Sequence, residues 1–395
     1  MSLPDDIIKS IKNVVGKKKH HLHEPLFFGN EIKYLKKTIT TNLVSSVGPF
    51  VKKFENQITK FTRSKYAISV VNGTEALHLS LVACGVMKND EVLLPTITFA
   101  GTANAIVYTG AIPHFVDSEF ETLGINPLKL EEYLNKITVK KGKFYFNIKT
   151  KRRIKAIIPV HVFGNICQID KILKIAKKYN MLVIEDAAEA LGSFFKNKHA
   201  GTFGLVGCFS FNGNKILTTG GGGAIITNNK SLAKKIKHLS TTAKINHRWE
   251  YIHNAVGYNF RMPNINAALG SAQIENLNKF LTLKRKLFLK YCKEFSKVNK
   301  VRLIKNPEFS KSNNWLNTIF IKSSSITKRN EVLSLAEKKQ IFLRPVWKPL
   351  HTLNHFNKMP KMNLEAAMKI YESCINLPSS ASYFYVKKKR TQLTP

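Results

Sequence analysis

Leu182-Val183-Ile184-Glu185-Asp186-Ala187-Ala188-Glu189 is a short β-branched run that ends in an acidic pair. Such a run predicts a strand, and similar runs stand at Tyr66 to Val71, Glu91 to Leu94, Ile112 to Val116 and Lys155 to Val160. Between them, Ala76, Leu77, Ser80, Leu81 and Cys84 recur at helical spacing, as do Ile169, Leu173, Ala176 and Tyr179. Strands alternating with helices predict an α/β fold with a mostly parallel central sheet flanked by helices. Open sheets of this kind collect ligand-binding groups at strand ends, where Asp186 stands. By itself that acid serves equally well as a helix N-cap.

Outward from this centre the pattern changes. Lys136 to Arg153, rich in Lys with an aromatic cluster, reads as a surface excursion between a helix and the next strand. A long helix is expected from Ile265 through Leu289, which opens a second domain. A chain of 395 residues has room for two domains, drawn here as 1–263, with the N-terminal segment, and 264–395. The basic, polar stretch Ser382 to Pro395 is expected to be loosely held.

Hydrophobic content of 44% and aromatic content of 10% are those of a globular protein and exclude general disorder. The charge is unusual, with 63 Lys plus Arg against 25 Asp plus Glu and a net +38. Three readings stay open: nucleic-acid binding, attraction of an anionic substrate, and lysine-rich solvated surface. The lysines run from Lys9 to Lys389 without the basic stripe and interleaved aromatics of a nucleic-acid module, so no nucleic-acid partner is expected. Five cysteines without a CxxC pair argue for a reducing compartment and against a metal site. The first residues, MSLPDDIIKSIKNVVG, interrupt their apolar positions with Asp and Lys, unlike a signal peptide. No stretch is long and apolar enough to span a membrane, so a cytoplasmic protein without a membrane partner is expected.

Two further motifs carry chemistry. Asn72-Gly73-Thr74-Glu75-Ala76 follows a strand and opens a helix. Backbone N–H groups at a helix N-terminus, uncrowded beside Gly, hold a phosphate, although the same residues also make a plain turn and cap. Ser210-Phe211-Asn212-Gly213-Asn214-Lys215 leads into Thr218-Thr219 and the glycines 220 to 223. A lysine in such small company can approach a bound group closely, with the Ser210 hydroxyl in reach of the same phosphate. Lysine forms Schiff bases once deprotonated.

A phosphate cradle, an acid at a strand end and a lysine in a glycine-rich turn, in that order, resemble fold type I pyridoxal-phosphate enzymes. Pro95-Thr96-Ile97-Thr98-Phe99, Asp117, Pro159-Val160-His161-Val162-Phe163-Gly164 and Gly201-Thr202-Phe203-Gly204 narrow the likeness. With them the chain resembles the nucleotide-sugar aminotransferases of the DegT/DnrJ/EryC1/StrS group, from about His23 to Ser380. His23-Glu24-Pro25 with Gly29-Asn30-Glu31, Val44-Ser45-Ser46-Val47-Gly48, Asn212-Gly213-Asn214-Lys215 with its four glycines, and Arg344-Pro345-Val346-Trp347 are similar to one branch of it. Thr241-Thr242-Ala243-Lys244 with His247-Arg248-Trp249, and Tyr258-Asn259-Phe260-Arg261, add to that match. The branch acts on 4-keto sugars on the way to legionaminic acid or bacillosamine.

The resemblance implies a fold type I transferase with a smaller C-terminal α+β domain and pyridoxal phosphate as cofactor. It implies Lys215 as the catalytic residue that carries the cofactor, and Asp186 as the partner of the pyridinium nitrogen. Phe99 would stack on the ring, and Gly73, Thr74 and Ser210 would hold the phosphate. Asn259 would reach the phosphate of a neighbouring subunit, which implies a homodimer with shared sites. Glu189 stands where many relatives carry Gln or His against the cofactor's phenolic oxygen, and a carboxylate there requires a shared proton or a water. His161, Lys244, His247, Arg248, Arg344 and Trp347 are candidates for the sugar and diphosphate pocket. The implied reaction moves an amino group from glutamate to C4 of a nucleotide-linked 4-keto-6-deoxy-N-acetylhexosamine, for a bacterial surface glycan or nonulosonic acid. One rival is a sugar 3-dehydratase on the same fold, whose members carry His where Lys215 stands. The other is a basic nucleic-acid-binding or scaffold protein that has lost catalysis.

Overall fold

The computed structural model describes residues 2–308, 310–322 and 325–385. Its centre is a seven-stranded sheet in the order Tyr66–Val70, Gly223–Thr227, Val206–Ser210, Leu182–Asp186, Ile154–Ile157, Glu91–Pro95, Ile112–Val116. Neighbours run parallel except at Gly223–Thr227, which is antiparallel to both strands beside it. All five strands read from the sequence are there. The Val206–Ser210 and Gly223–Thr227 pair was not separated in that reading, because the glycine-rich turn between them masked both. Helices cover both faces, so Glu91–Pro95 is buried along its whole length, as a parallel sheet requires.

Local chemistry sets the helix starts. Asn72 is extended and its side chain accepts the Glu75 N–H at 2.8 Å, which begins the helix Gly73–Ala83. Asn126 caps Pro127–Ile137 and Asn229 caps Lys230–Ser240 in the same way. The Lys136 to Arg153 excursion is a hairpin, Thr138–Lys141 against Phe144–Asn147, that turns at Gly142 with φ 59°. The long helix expected through Leu289 is two helices, Asn264–Glu275 and Leu277–Phe295. They break at Asn276, whose side-chain amide donates to the Ala272 carbonyl at 3.3 Å, a side-chain bond that competes with the helical ladder.

The described residues form two hydrophobic cores. The larger surrounds the central sheet and includes Ala267, Ala268, Ile274 and Leu277. The helix Asn264–Glu275 packs on Glu31–Thr40 and Pro49–Thr62, although the sequence reading placed it at the start of the second domain. The smaller core joins Leu287, Tyr291, Phe295, Ile319 and Ile375 to Ile7, Ile8, Ile11 and Val14. The N-terminal helix Leu3–Val15, grouped with residues 1–263 in the sequence reading, packs on Leu277–Phe295 and Ile326–Lys338. Its four apolar residues fall on one helical stripe, and burying each contributes about 1.5–3 kcal/mol, which explains the association. A four-stranded antiparallel sheet, Val301–Leu303, Asn317–Ile321, Cys374–Leu377 and Arg344–Pro345, completes this part. Among the described residues no helix is long and apolar enough to cross a membrane.

Candidate active site

A cavity of about 400 Å³ opens at the carboxyl ends of the central strands. The helix Gly73–Ala83 forms one wall with its N-terminus, whose free N–H groups and dipole favour an anion. A Cβ added at Gly73 would come within 2.8 Å of the Ser210 Cβ, so glycine lets the helix start close against the strand that ends at Ser210. Gly73, Thr74 and Ser210 thus share one corner of the cavity.

Asp186 ends its strand beneath the floor and is 5% exposed. Its Oδ2 accepts the Thr102 hydroxyl at 2.7 Å and its Oδ1 accepts the Ala188 N–H at 3.1 Å. Burial pushes its carboxyl above the usual carboxylate range, while those two bonds and the Lys215 ammonium oppose the shift.

Lys215 enters from the loop after Ser210. Its Nζ lies 3.1 Å from Glu189 Oε1, and the other Glu189 oxygen accepts the Phe163 N–H at 2.8 Å. Phe163 reaches that bond in a left-handed conformation, φ 54° and ψ 22°, uncommon for a non-glycine residue and concentrated at functional sites. Burial also raises the Glu189 carboxyl, with Lys215 as the main opposing influence. Phe99 lies at the mouth, 62% exposed, and Trp347 packs on Phe163 with ring centroids 4.6 Å apart.

The fold therefore gathers Gly73, Thr74, Phe99, Asp186, Glu189, Ser210, Lys215 and Trp347 around one cavity. The other candidates lie elsewhere. His161 is fully buried below the floor, with Nε2 3.0 Å from Glu185 Oε2. Burial pushes its imidazole down, but Cys167 and Glu185 more than reverse this, to about 10. Glu185 also accepts N–H bonds from Gly201, Phe203 and Gly204, so this pair ties a strand to a loop and does not face the cavity. Lys244 is exposed on the strand Lys244–Ile245, and His247 and Arg248 are exposed on the turn that joins it to Ile252–His253. Asn259 is exposed beside Arg261, and Arg344 is exposed on its strand opposite Asn376. None of these five lines the cavity of its own chain.

Thr102 and Trp315 were missed. Thr102 had a signal, three residues past the quoted Phe99 and facing the same way as Thr98, to which it bonds at 2.8 Å. Trp315 had none, because it reaches the cavity from the far part of the chain. A larger groove, about 790 Å³, lies between Leu277–Phe295 and residues 305–312 and holds none of the candidate residues.

The cavity fits pyridoxal phosphate on its own geometry: a cradle for an anion where a Cβ would clash, a buried acid held by two donors, and an amine between them. The chain is 37% identical over 361 residues to a GDP-perosamine synthase of Escherichia coli O157:H7, covering 91% of this chain and 93% of that one. It is 31% identical to a UDP-4-amino-4,6-dideoxy-N-acetyl-beta-L-altrosamine transaminase of Campylobacter jejuni, covering 88% and 89%. Among solved structures, PseC of Helicobacter pylori, an aminotransferase involved in the biosynthesis of pseudoaminic acid, superposes with a TM-score of 0.83 at 25% identity, covering 92% and 94%. The model of one family matches residues 28–384, which include every wall of the cavity and all of the smaller core but its N-terminal helix. The chain therefore belongs to the DegT/DnrJ/EryC1/StrS aminotransferase family and is a sugar aminotransferase that works with pyridoxal phosphate.

Proposed function

We propose that the protein moves the amino group of glutamate to C4 of a nucleotide-linked 4-keto-6-deoxy-N-acetylhexosamine, serving a surface glycan or nonulosonic acid. The observation that carries this reading is the Lys215 amine, 3.1 Å from Glu189 in a cavity floored by Asp186. The two relatives named above support the substrate class, one by a GDP-linked product and one by a UDP-linked 4-amino, 4,6-dideoxy, N-acetyl product.

Gly73, Thr74 and Ser210 would hold the cofactor phosphate, and Phe99 would cover the ring. Asp186 would keep the ring nitrogen protonated, a role for which Thr102 and Ala188 prepare it by favouring its carboxylate. When bound, pyridoxal phosphate supplies an electron sink and carries the amino group between the two substrates. Lys215 Nζ takes the α-proton of glutamate in the first half-reaction, and the 2-oxo acid leaves. In the second, Lys215 delivers a proton to C4 of the sugar. A positioned amine of this kind contributes about 10²–10⁴-fold. Glu189 orients Nζ between these tasks.

Each site would be completed by a second copy. Asn259, Lys244, His247 and Arg248 do not line their own cavity, and the same stretch of chain carries Trp249, Tyr251 and Val256, which are 75%, 80% and 86% exposed. Apolar exposure on this scale favours an interface over solvent. In a homodimer these cations would meet the diphosphate bound in the partner, with Arg344 and Trp347 at the rim.

The test is a visible spectrum of protein reconstituted with pyridoxal phosphate, followed through addition of glutamate and then of a GDP- or UDP-linked 4-keto sugar. The band should fade with glutamate and return with one of the two sugars. No response to glutamate would overturn the reaction, and a return with neither sugar would overturn the substrate.

A further inference from the structure

Behind Lys215 stands a layer of residues from the distant C-terminal part of the chain. The Trp315 indole N–H donates to the Asn214 carbonyl at 2.7 Å, one residue before the reacting lysine. Its ring also lies 4.1 Å from Lys215 Nζ. The Trp315 N–H donates to Asn313 Oδ1 at 2.8 Å, and the Asn313 amide donates to the Glu189 carbonyl, also at 2.8 Å. Trp315 is therefore joined to Lys215 along the backbone at Asn214 and through Glu189.

The anchor of this layer is Lys284, which is fully buried. Its Nζ donates to the Trp315 carbonyl at 2.6 Å and to the Ser379 carbonyl. Among the described residues no carboxylate pairs with it. A buried ammonium without a counter-ion is costly, and burial pushes this lysine well below its ordinary range. A neutral amine has two N–H groups for two carbonyls, which suits the site. Burial likewise pushes the nearby His23 imidazole well below its ordinary range.

We propose that Trp315, anchored from behind by Lys284, is a positioning residue for Lys215. It holds the backbone at Asn214 and covers one side of the amine, so that Nζ is presented to Glu189 and the cavity. The inference rests on the reading of Lys215 as the reacting amine.

The experiment compares Trp315→Phe, Trp315→Leu and Lys284→Met with the parent protein. Lys284→Met leaves two buried carbonyls without donors and can fail to fold, so the tryptophan variants decide. In cofactor-free protein, acetylation of Lys215 by acetic anhydride is measured by peptide mass spectrometry relative to the exposed Lys18 and Lys140. With the cover gone, relative labelling in Trp315→Leu should rise about threefold or more. In reconstituted protein, kcat should fall about tenfold to a hundredfold in Trp315→Leu, less in Trp315→Phe, with KM within about twofold. Unchanged labelling, or raised labelling with unchanged kcat, would overturn the inference. Parent protein that acetylates in this pattern but never consumes an amino donor would overturn the functional reading instead, and the labelling ratio would still decide how Lys215 is held.

Discussion

Thr102→Val removes one hydroxyl from beneath the cavity and keeps the side-chain shape. The hydroxyl donates to Asp186 Oδ2 at 2.7 Å, and Asp186 is 5% exposed. A hydrogen bond to a charged group contributes about 1.5–3 kcal/mol, so its loss weakens the carboxylate form on the order of ten- to a hundredfold. Burial has already raised this acid, so between the unfolded value and the raised one the folded protein holds a proton that the unfolded chain has released. Such a group lowers stability as pH rises through the raised value and has no effect below the unfolded value of about 3.9. The substitution should therefore lower the unfolding free energy by about 1.5–3 kcal/mol near neutrality. In acid the loss should be about 1 kcal/mol, the share of a neutral hydrogen bond. Thr98 loses a partner at 2.8 Å in both conditions, which adds a cost independent of pH. Urea unfolding of the cofactor-free protein at the two pH values measures the difference, and kcat of the reconstituted enzyme should fall about tenfold. An equal loss at both pH values with unchanged kcat would refute the view that Thr102 sets the charge of Asp186.

Lys215→Ala should abolish the visible band of the lysine-bound cofactor and turnover together, and turnover retained in this variant would remove Lys215 from the chemistry. Mixed subunits of Lys215→Ala and Asn259→Ala should recover part of the activity that each lacks alone; no recovery after confirmed subunit exchange argues against shared sites. His161, held near 10 by its partners, keeps a proton that the unfolded chain loses near 6.5, so stability should fall as pH rises from about 6.5 to about 10. His161→Gln should flatten that decline in a series of thermal melts, and an unaltered slope would count against the Glu185 pair as its source. Ile11→Ala, at a fully buried position in the smaller core, should cost about 2–5 kcal/mol in chemical unfolding while leaving the spectrum of bound cofactor unchanged.

The residues nearest the chemistry were legible because each sits inside a local signal. Asn72, Gly73 and Thr74 are a cap and an anion cradle in consecutive positions, Asp186 ends an apolar run, and Lys215 lies in a turn of small residues. The strands at Leu182, Glu91 and Ile112 were legible for the same reason, since a strand buried on both faces writes a continuous apolar run. His161 shows the limit. Its motif resembled a pocket residue, but it bonds to Glu185 and Cys167, and Glu185 is held in turn by three loop N–H groups, a pairing not visible from its neighbours in the chain.

The amino-acid sequence by itself determined the alternation of strands and helices, the order of the cradle, acid and amine, and through them the family. Local hydrogen bonding and apolar periodicity suffice for these, because they act within a few residues. Only the tertiary structure decided that the N-terminal helix completes the C-terminal core, that Thr102 governs Asp186, and that Trp315 and Lys284 stand behind Lys215. Those pairings join residues as far apart as Ile7 and Ile375, and they follow from which apolar faces and buried polar groups satisfy one another once the whole chain has packed.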